Sequence, residues 1–186
     1  VEQTHPFYDV YTGIDYTRKR AVSESVISHL YKLELTEGTP LALARDIFIF
    51  SYCTRGMAFV DISYLKKKNI QNGIICYARR KTGQLLSIRI ESCIQKIIDK
   101  YSSLSSTYVF PILTSTEAKR AYEEYHAAIN NHNRLLRQLS KMLPEGCKLT
   151  SYTSRHSWAT AARNHNVPIS TISAGMGHAT EQITHI

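Results

Sequence analysis

At 186 residues the chain is long enough for one domain with a sizeable core and too short for two ordinary ones. A formal charge of +8 and a pI near 9.4 point to a polyanion as partner, nucleic acid first, or else to a solvated basic surface. The 4 cysteines, Cys53, Cys76, Cys93 and Cys147, form no Cys-x-x-Cys pair, no apolar run approaches a membrane span of roughly 20 residues, and no signal peptide is present. A disulfide scaffold and a membrane protein are set aside, and the expectation is a reduced, cytoplasmic chain. Its first residue is Val1, which reads as a fragment or a processed chain.

In chain order, residues 1–20 lack a strong period and read as a linker or arm ending in the basic run Thr17-Arg18-Lys19-Arg20. That run fits a phosphate contact or a solvated end. Residues 21–186 then read as the domain proper. Ser23 to about Leu33 predicts a helix with Val26, Ile27, Leu30 and Leu33 on one face. Thr39-Pro40 predicts an N-cap followed by proline at the first helical position, opening a helix that buries Leu41, Ala44, Ile47, Phe48 and Tyr52 and ends near Thr54-Arg55-Gly56. Gly73 to Ile90 alternates as a hairpin, with Arg79 to Gly83 as its turn. Glu91 to Tyr101 is amphipathic, with Ile94, Ile97, Ile98 and Tyr101 at helical spacing.

A long helix is predicted from about Ser115 to Leu143. Its buried side is Ala118, Ala121, Tyr122, Tyr125, Ile129, Leu135, Leu136, Leu139 and Met142, and Pro144 and Gly146 end it. The last stretch, Leu149 to Ile186, carries N-cap residue types at Thr150 and Ser151. Tyr152 and Arg155 then share one helix face, and Trp158, Ala159 and Ala162 form an apolar side. Val167-Pro168 breaks this helix. A short helix from Ser170 closes in Gly175-Met176-Gly177-His178. The elements add up to a mainly α fold with a small antiparallel β-sheet.

Tyr152-Thr153-Ser154-Arg155-His156 resembles the His-x-x-Arg box of the tyrosine recombinases, the phage integrase family. Gly177-His178-Ala179-Thr180 with Thr184 resembles that family's Leu-Gly-His-Ser-Ser…Thr box. Thr54 to Leu65 resembles its Thr-Gly-Leu-Arg-x-x-Glu-Leu-x-x-Leu pattern through Asp61-Ile62 and Leu65. That register puts Ala58 at the first arginine, with Arg55 three residues earlier. Arg55-Gly56-Met57-x-Phe59-x-Asp61 is similar to integrases of Bacteroides-type mobile elements. Lys81-Thr82-Gly83 matches the lysine of the family's β-turn. The resemblance runs from about residue 20 to 186.

The resemblance implies the recombinase catalytic fold and site-specific DNA recombination through a 3′-phosphotyrosyl intermediate. Arg55, Arg155 and His178 would hold the scissile phosphate, Lys81 would protonate the leaving 5′-oxygen, and Arg79, Arg80 and Lys81 would contact DNA. Tyr152 stands where the family more often has histidine. With an ordinary pKa near 10 it suits positioning or weak acid/base work. The nucleophilic tyrosine would fall at position 187, beyond Ile186, and a separate DNA-gripping domain would precede Val1. The implied partners are double-stranded DNA and further protomers, tetrameric on DNA, with no nucleotide, cofactor or metal. A non-catalytic DNA-binding module on the same scaffold and a relaxing topoisomerase remain as alternatives.

The residue types suit this chemistry on their own account. Two guanidinium forks can each give a phosphate two charge-assisted hydrogen bonds. Arg155 also fits a plainer role, a buried salt bridge with Asp61. His126, His132, His165 and His185 lack zinc spacing, and His156 reads as structural.

Overall fold

The computed structural model describes residues 20–105, 107–144, 146–178 and 184. Local chemistry starts the first two helices. Ser23 Oγ accepts from Val26 N and opens α1 (Glu24–Lys32). Thr39 Oγ1 accepts from Ala42 N at 3.3 Å, and Pro40 supplies the first helical residue of α2 (Pro40–Cys53). Helix α2 is buried on every side, Ala42, Ala44 and Ile47 to Ser51 included, because α1 and four later helices pack around it.

After α2 come a short helix α3 (Phe59–Ser63), a 3₁₀ turn (Lys67–Asn69), and three strands, β1 (Ile70–Gln71), β2 (Ile74–Ala78) and β3 (Leu85–Arg89). The sheet is antiparallel in the order β1-β2-β3, with Ile75 opposite Ile88 and Tyr77 opposite Leu86. Then follow α4 (Ser92–Tyr101), α5 (Ala118–Ser140), α6 (Thr153–Asn164) and α7 (Ile169–Met176). The main core joins α1, α2, α4, the sheet and the C-terminal half of α5. A separate small cluster, Ala159, Ile172 and Met176 with Trp158 and Val167 against it, fastens α7 to α6.

A buried polar network ties the N-terminal helices together. Arg45 Nη1 donates to Leu33 O at 2.7 Å and Tyr31 O at 3.3 Å, capping the end of α1, and its Nε donates to Asp46 Oδ1 at 2.5 Å. Asp46 Oδ2 accepts from Tyr101 Oη at 2.8 Å, which brings in α4.

Several boundaries and faces differ from the sequence expectations. Helix α5 runs only from Ala118 to Ser140, and Tyr122 and Met142 lie outside, at 59% and 48% exposure. The inward row instead follows Ala121, Tyr125, Ile129, His132, Leu136 and Leu139, the spacing of one continuous helical stripe. Neither Thr150 nor Ser151 caps α6; Tyr152 is its N-cap residue in an αR conformation, and Thr150 N donates instead to Thr153 Oγ1 at 3.0 Å. Helix α7 starts at Ile169, one residue before the expected Ser170. Residues 1–19, Ala179, Thr180 and His185 lie outside the described residues. Among the described residues no helix is long and apolar enough to cross a membrane, and the four cysteines are free.

His132 takes a core place by stacking on Phe59, ring centroids 4.5 Å apart and 19° from parallel. Burial pushes its pKa down to about 4. The unfolded chain, with an ordinary histidine, binds a proton first as pH falls. Stability from this residue is therefore complete above pH 6.5 and is lost between 6.5 and about 4. The full difference amounts to about 3 kcal/mol. His132→Leu should flatten the wild-type fall in denaturant midpoint across that window, and an unchanged slope would remove His132 from the core.

Candidate active site

Four segments converge at one end of α2. Thr54 Oγ1 donates to Phe50 O at 2.6 Å and closes the helix. Arg55 and Gly56 then take left-handed φ values of 59° and 72° in succession, turning the chain sharply. Gly56 N donates back to Ser51 O at 2.8 Å. A Cβ at Gly56 would lie 2.8 Å from both Cα and Cγ of Arg155, so only glycine fits.

Arg155 enters from the first turn of α6, 5% exposed. Its Nη1 donates to Gly56 O at 2.7 Å, and its Nη2 donates to Met176 O at 2.7 Å and lies 2.9 Å from His178 Nε2. A guanidinium has only donors, so His178 Nε2 is the acceptor and its proton sits on Nδ1, 2.7 Å from Thr184 Oγ1. Burial, followed by the charges of Arg155, Arg79 and Lys81, pushes the imidazole pKa down to about 4. His178 is thus neutral near pH 7. Burial and the Arg79 charge bring Arg155 down to about 10, which leaves it a cation there.

The β-hairpin forms the facing wall. Ile75 and Tyr77 point inward from β2, and Arg79 continues their alternation, 6% exposed, with Nη1 donating to Gly177 O at 2.5 Å. Arg80 points the other way and lays its guanidinium over the Tyr64 ring, 3.7 Å from the centroid. Lys81 is exposed on the turn and, among the described residues, makes no hydrogen bond or ion pair. Its charge still reaches His178.

Asp61, buried in α3, accepts from Arg80 N at 2.8 Å and so holds the hairpin turn in place. Burial raises its pKa, opposed by that N–H and by the charges of Arg79, Arg155 and Arg80. Among the described residues the Arg155–Asp61 ion pair does not form, and the Arg155 fork serves two carbonyls and His178 instead.

Arg155, His178, Lys81 and Arg79 are therefore brought together, and two other candidates stand at the rim. Tyr152 is 46% exposed at the start of α6, its ring 5.6 Å from that of the half-buried His156. Arg55 is exposed and leans along Gly175, into a cavity of about 590 Å³ walled by Tyr52, Cys53, Trp158 and Val167. Its charge extends to the site floor, where Tyr77 is held above its ordinary pKa chiefly by burial and then by Asp61, against Arg155, Arg79 and Arg55. Around the site one buried carboxylate, faced by Arg79, Arg155 and Arg80, stands with two further cations, Lys81 near His178 and Arg55 near Tyr77. Such a surplus of positive charge fits an anion, not a neutral ligand. Among the described residues no three His, Cys, Asp or Glu side chains gather closely enough to hold a metal ion.

The sequence reading missed the inward turn of Arg79 and the steric role of Gly56. The period-two parity of Ile75, Tyr77 and Arg79 could have shown the first. Nothing local to Gly56 signals the second, since its neighbour, Arg155, is 99 residues away.

No protein-family profile and no curated protein matches the sequence. Solved structures do match. XerA recombinase superposes with a TM-score of 0.61 at 20% identity over 89% of this chain and 58% of that one. A lambda integrase dimer bound to a COC′ core site gives 0.64 at 16% identity, over 91% of this chain and 59% of the other. The catalytic domain of bacteriophage HP1 integrase gives 0.53 at 16%, covering 90% and 85%. The chain spans less than two thirds of the XerA and lambda integrase chains and most of the HP1 catalytic domain. Mainly helical, with a three-stranded antiparallel sheet, the chain has the catalytic-domain fold of the tyrosine recombinases.

Proposed function

We propose that residues 21–186 form the catalytic domain of a site-specific DNA recombinase, an integrase of a Bacteroides-type mobile element, with residues 1–20 as the arm leading into it. The observation that carries this reading is Arg155: a buried guanidinium fixed by Gly56 O and Met176 O, touching a neutral His178, inside a ring of further cations. The partner is double-stranded DNA. The protomers act as tetramers on it, in the cytoplasm.

The scissile phosphate sits against Arg155 and His178, with Arg55 reaching in from the rim. In-line attack places extra negative charge on the non-bridging oxygens, and cations fixed beforehand stabilise that state more than the ground state. Burial first, and then the charges of Arg155, Arg79 and Lys81, keep His178 neutral, and the arriving phosphate offsets those charges. Once Arg155 Nη2 turns from His178 to the phosphate, Nε2 is free to take a proton and donate to a phosphate oxygen.

The nucleophile is a tyrosine at position 187. Its hydroxyl gives up its proton to solvent and its oxygen forms a bond to phosphorus as the bond to the 5′-oxygen breaks, and Lys81 supplies the proton that the 5′-oxygen takes up. The 3′-phosphotyrosyl link is then reversed by a second 5′-hydroxyl. Because each step exchanges one phosphodiester for another, neither nucleotide hydrolysis nor a redox partner enters. Tyr152 orients the phosphate from the α6 N-terminus through its hydroxyl.

The test uses a chain that continues past Ile186 with tyrosine at 187, incubated with a nicked duplex. An adduct that survives denaturation, weakened at least tenfold by Lys81→Ala, is the expected result. DNA binding that falls steeply with salt yet never yields an adduct would replace the enzyme with a DNA-binding module on the same scaffold.

A further inference from the structure

The end of α7 is held in an unusual way. Its last carbonyls carry the negative end of the helix dipole, and two consecutive ones are capped by arginines from different parts of the chain. Arg155, from α6, takes Met176 O at 2.7 Å, and Arg79, from the hairpin, takes Gly177 O at 2.5 Å. Gly177 itself turns left-handed, φ 67°, and fits closely against the hairpin. A Cβ there would lie 3.0 Å from Leu86 Cδ1, 3.1 Å from Arg79 Cδ and 3.4 Å from Gln84 Oε1. The next residue is His178.

Arg79 also organises the turn that bears Lys81. Its N–H donates to Gln84 O at 2.8 Å, while its carbonyl accepts from Gly83 N at 2.7 Å and Thr82 N at 3.2 Å. One residue thus closes the Lys81 turn with its backbone and grips the His178 turn with its side chain. Asp61 secures the same turn from the other side through Arg80 N.

We propose that Arg79 is a positioning residue that locks the Lys81 hairpin to the His178 turn, so that proton donor and phosphate ligand are held as one unit. The roles given to Lys81 and His178 rest on the recombinase reading; the lock itself does not. In a hairpin free of this grip, the exposed Lys81 would sample positions far wider than a proton transfer to a fixed oxygen tolerates. A buried cation with a single carboxylate, Asp61, in its field is a costly anchor, and the acceptor it has found is a backbone carbonyl beside the site.

Amide hydrogen exchange on the protein without DNA tests the lock. In Arg79→Met the Thr82, Gly83, Gly177 and His178 amides should exchange roughly tenfold faster or more, as expected when a charge-assisted hydrogen bond is removed, while α2 and α4 keep their protection. Arg89→Met, which removes an exposed cation from β3, should leave the four amides unchanged. The His178 imidazole should titrate at higher pH in Arg79→Met, one of the cations facing it being gone, and near its wild-type position in Arg79→Lys.

Faster exchange throughout the molecule, or none at Gly177 and His178, would overturn the proposal and leave Arg79 an ordinary core residue. None of these readouts needs DNA or a nucleophile, so a failed adduct assay leaves them standing. Where adducts do form, Arg79→Met should slow their formation without changing the salt dependence of DNA binding. A salt slope reduced by about 1 would instead make Arg79 a direct phosphate contact and overturn the positioning role.

Discussion

Gly56→Ala should lower the melting temperature by about 10 °C. Two effects add. The left-handed backbone at φ 72° costs a non-glycine residue roughly 1 kcal/mol. The new methyl would meet Arg155 at its Cα, 2.8 Å away, and backbone cannot swing aside as a side-chain tip can. Relief requires α6 to move off α2, an overpacking penalty of about 1–3 kcal/mol. For a domain of this size about 3 kcal/mol corresponds to roughly 6–12 °C. Gly73→Ala provides the comparison: the same left-handed strain with nothing within 4 Å, and so only the smaller loss. Equal melting shifts for the two variants would show that Arg155 does not press on Gly56.

On the proposed recombinase reading, Arg155→Met should cut the rate of adduct formation by about 10²–10³, the usual effect of removing one fixed donor to a developing oxyanion. Arg155→Lys should recover little of it. A single ammonium keeps the charge but cannot hold Gly56 O, Met176 O and a phosphate oxygen together, as the fork can. The methionine variant also frees His178 Nε2 and removes a cation facing it, so the imidazole should titrate at higher pH. Measured adduct rates of Arg155→Lys within a few-fold of wild type would show that charge alone suffices and that the hydrogen-bond geometry is incidental.

The sequence made the helices and hairpin legible because their signals are local. Ser23, Thr39-Pro40 and the alternation of Ile75, Tyr77, Leu86 and Ile88 each act on near neighbours. What stayed hidden depends on partners distant in the chain. His132 reads as one more polar residue until Phe59 offers a ring to stack on. Arg79, read as a DNA-contacting residue of the cationic turn, is drawn inward by Gly177 O, 98 residues away. Tyr122 and Met142 are apolar enough to suggest burial, yet the row through Ala121 and Leu136 leaves them outside. At the site, Arg155, His178 and Lys81 could be named from short motifs. That Arg155 is held by carbonyls and not by Asp61 could not, because it follows from where α2 and α7 end in space.

Arg55 carries a further consequence. A residue with a Cβ held at φ 59° is less stable there than glycine or asparagine would be, and the exposed guanidinium recovers little of that loss through contacts. Selection for heat resistance alone would therefore drift toward Arg55→Gly, giving a sturdier fold with one cation fewer at the rim.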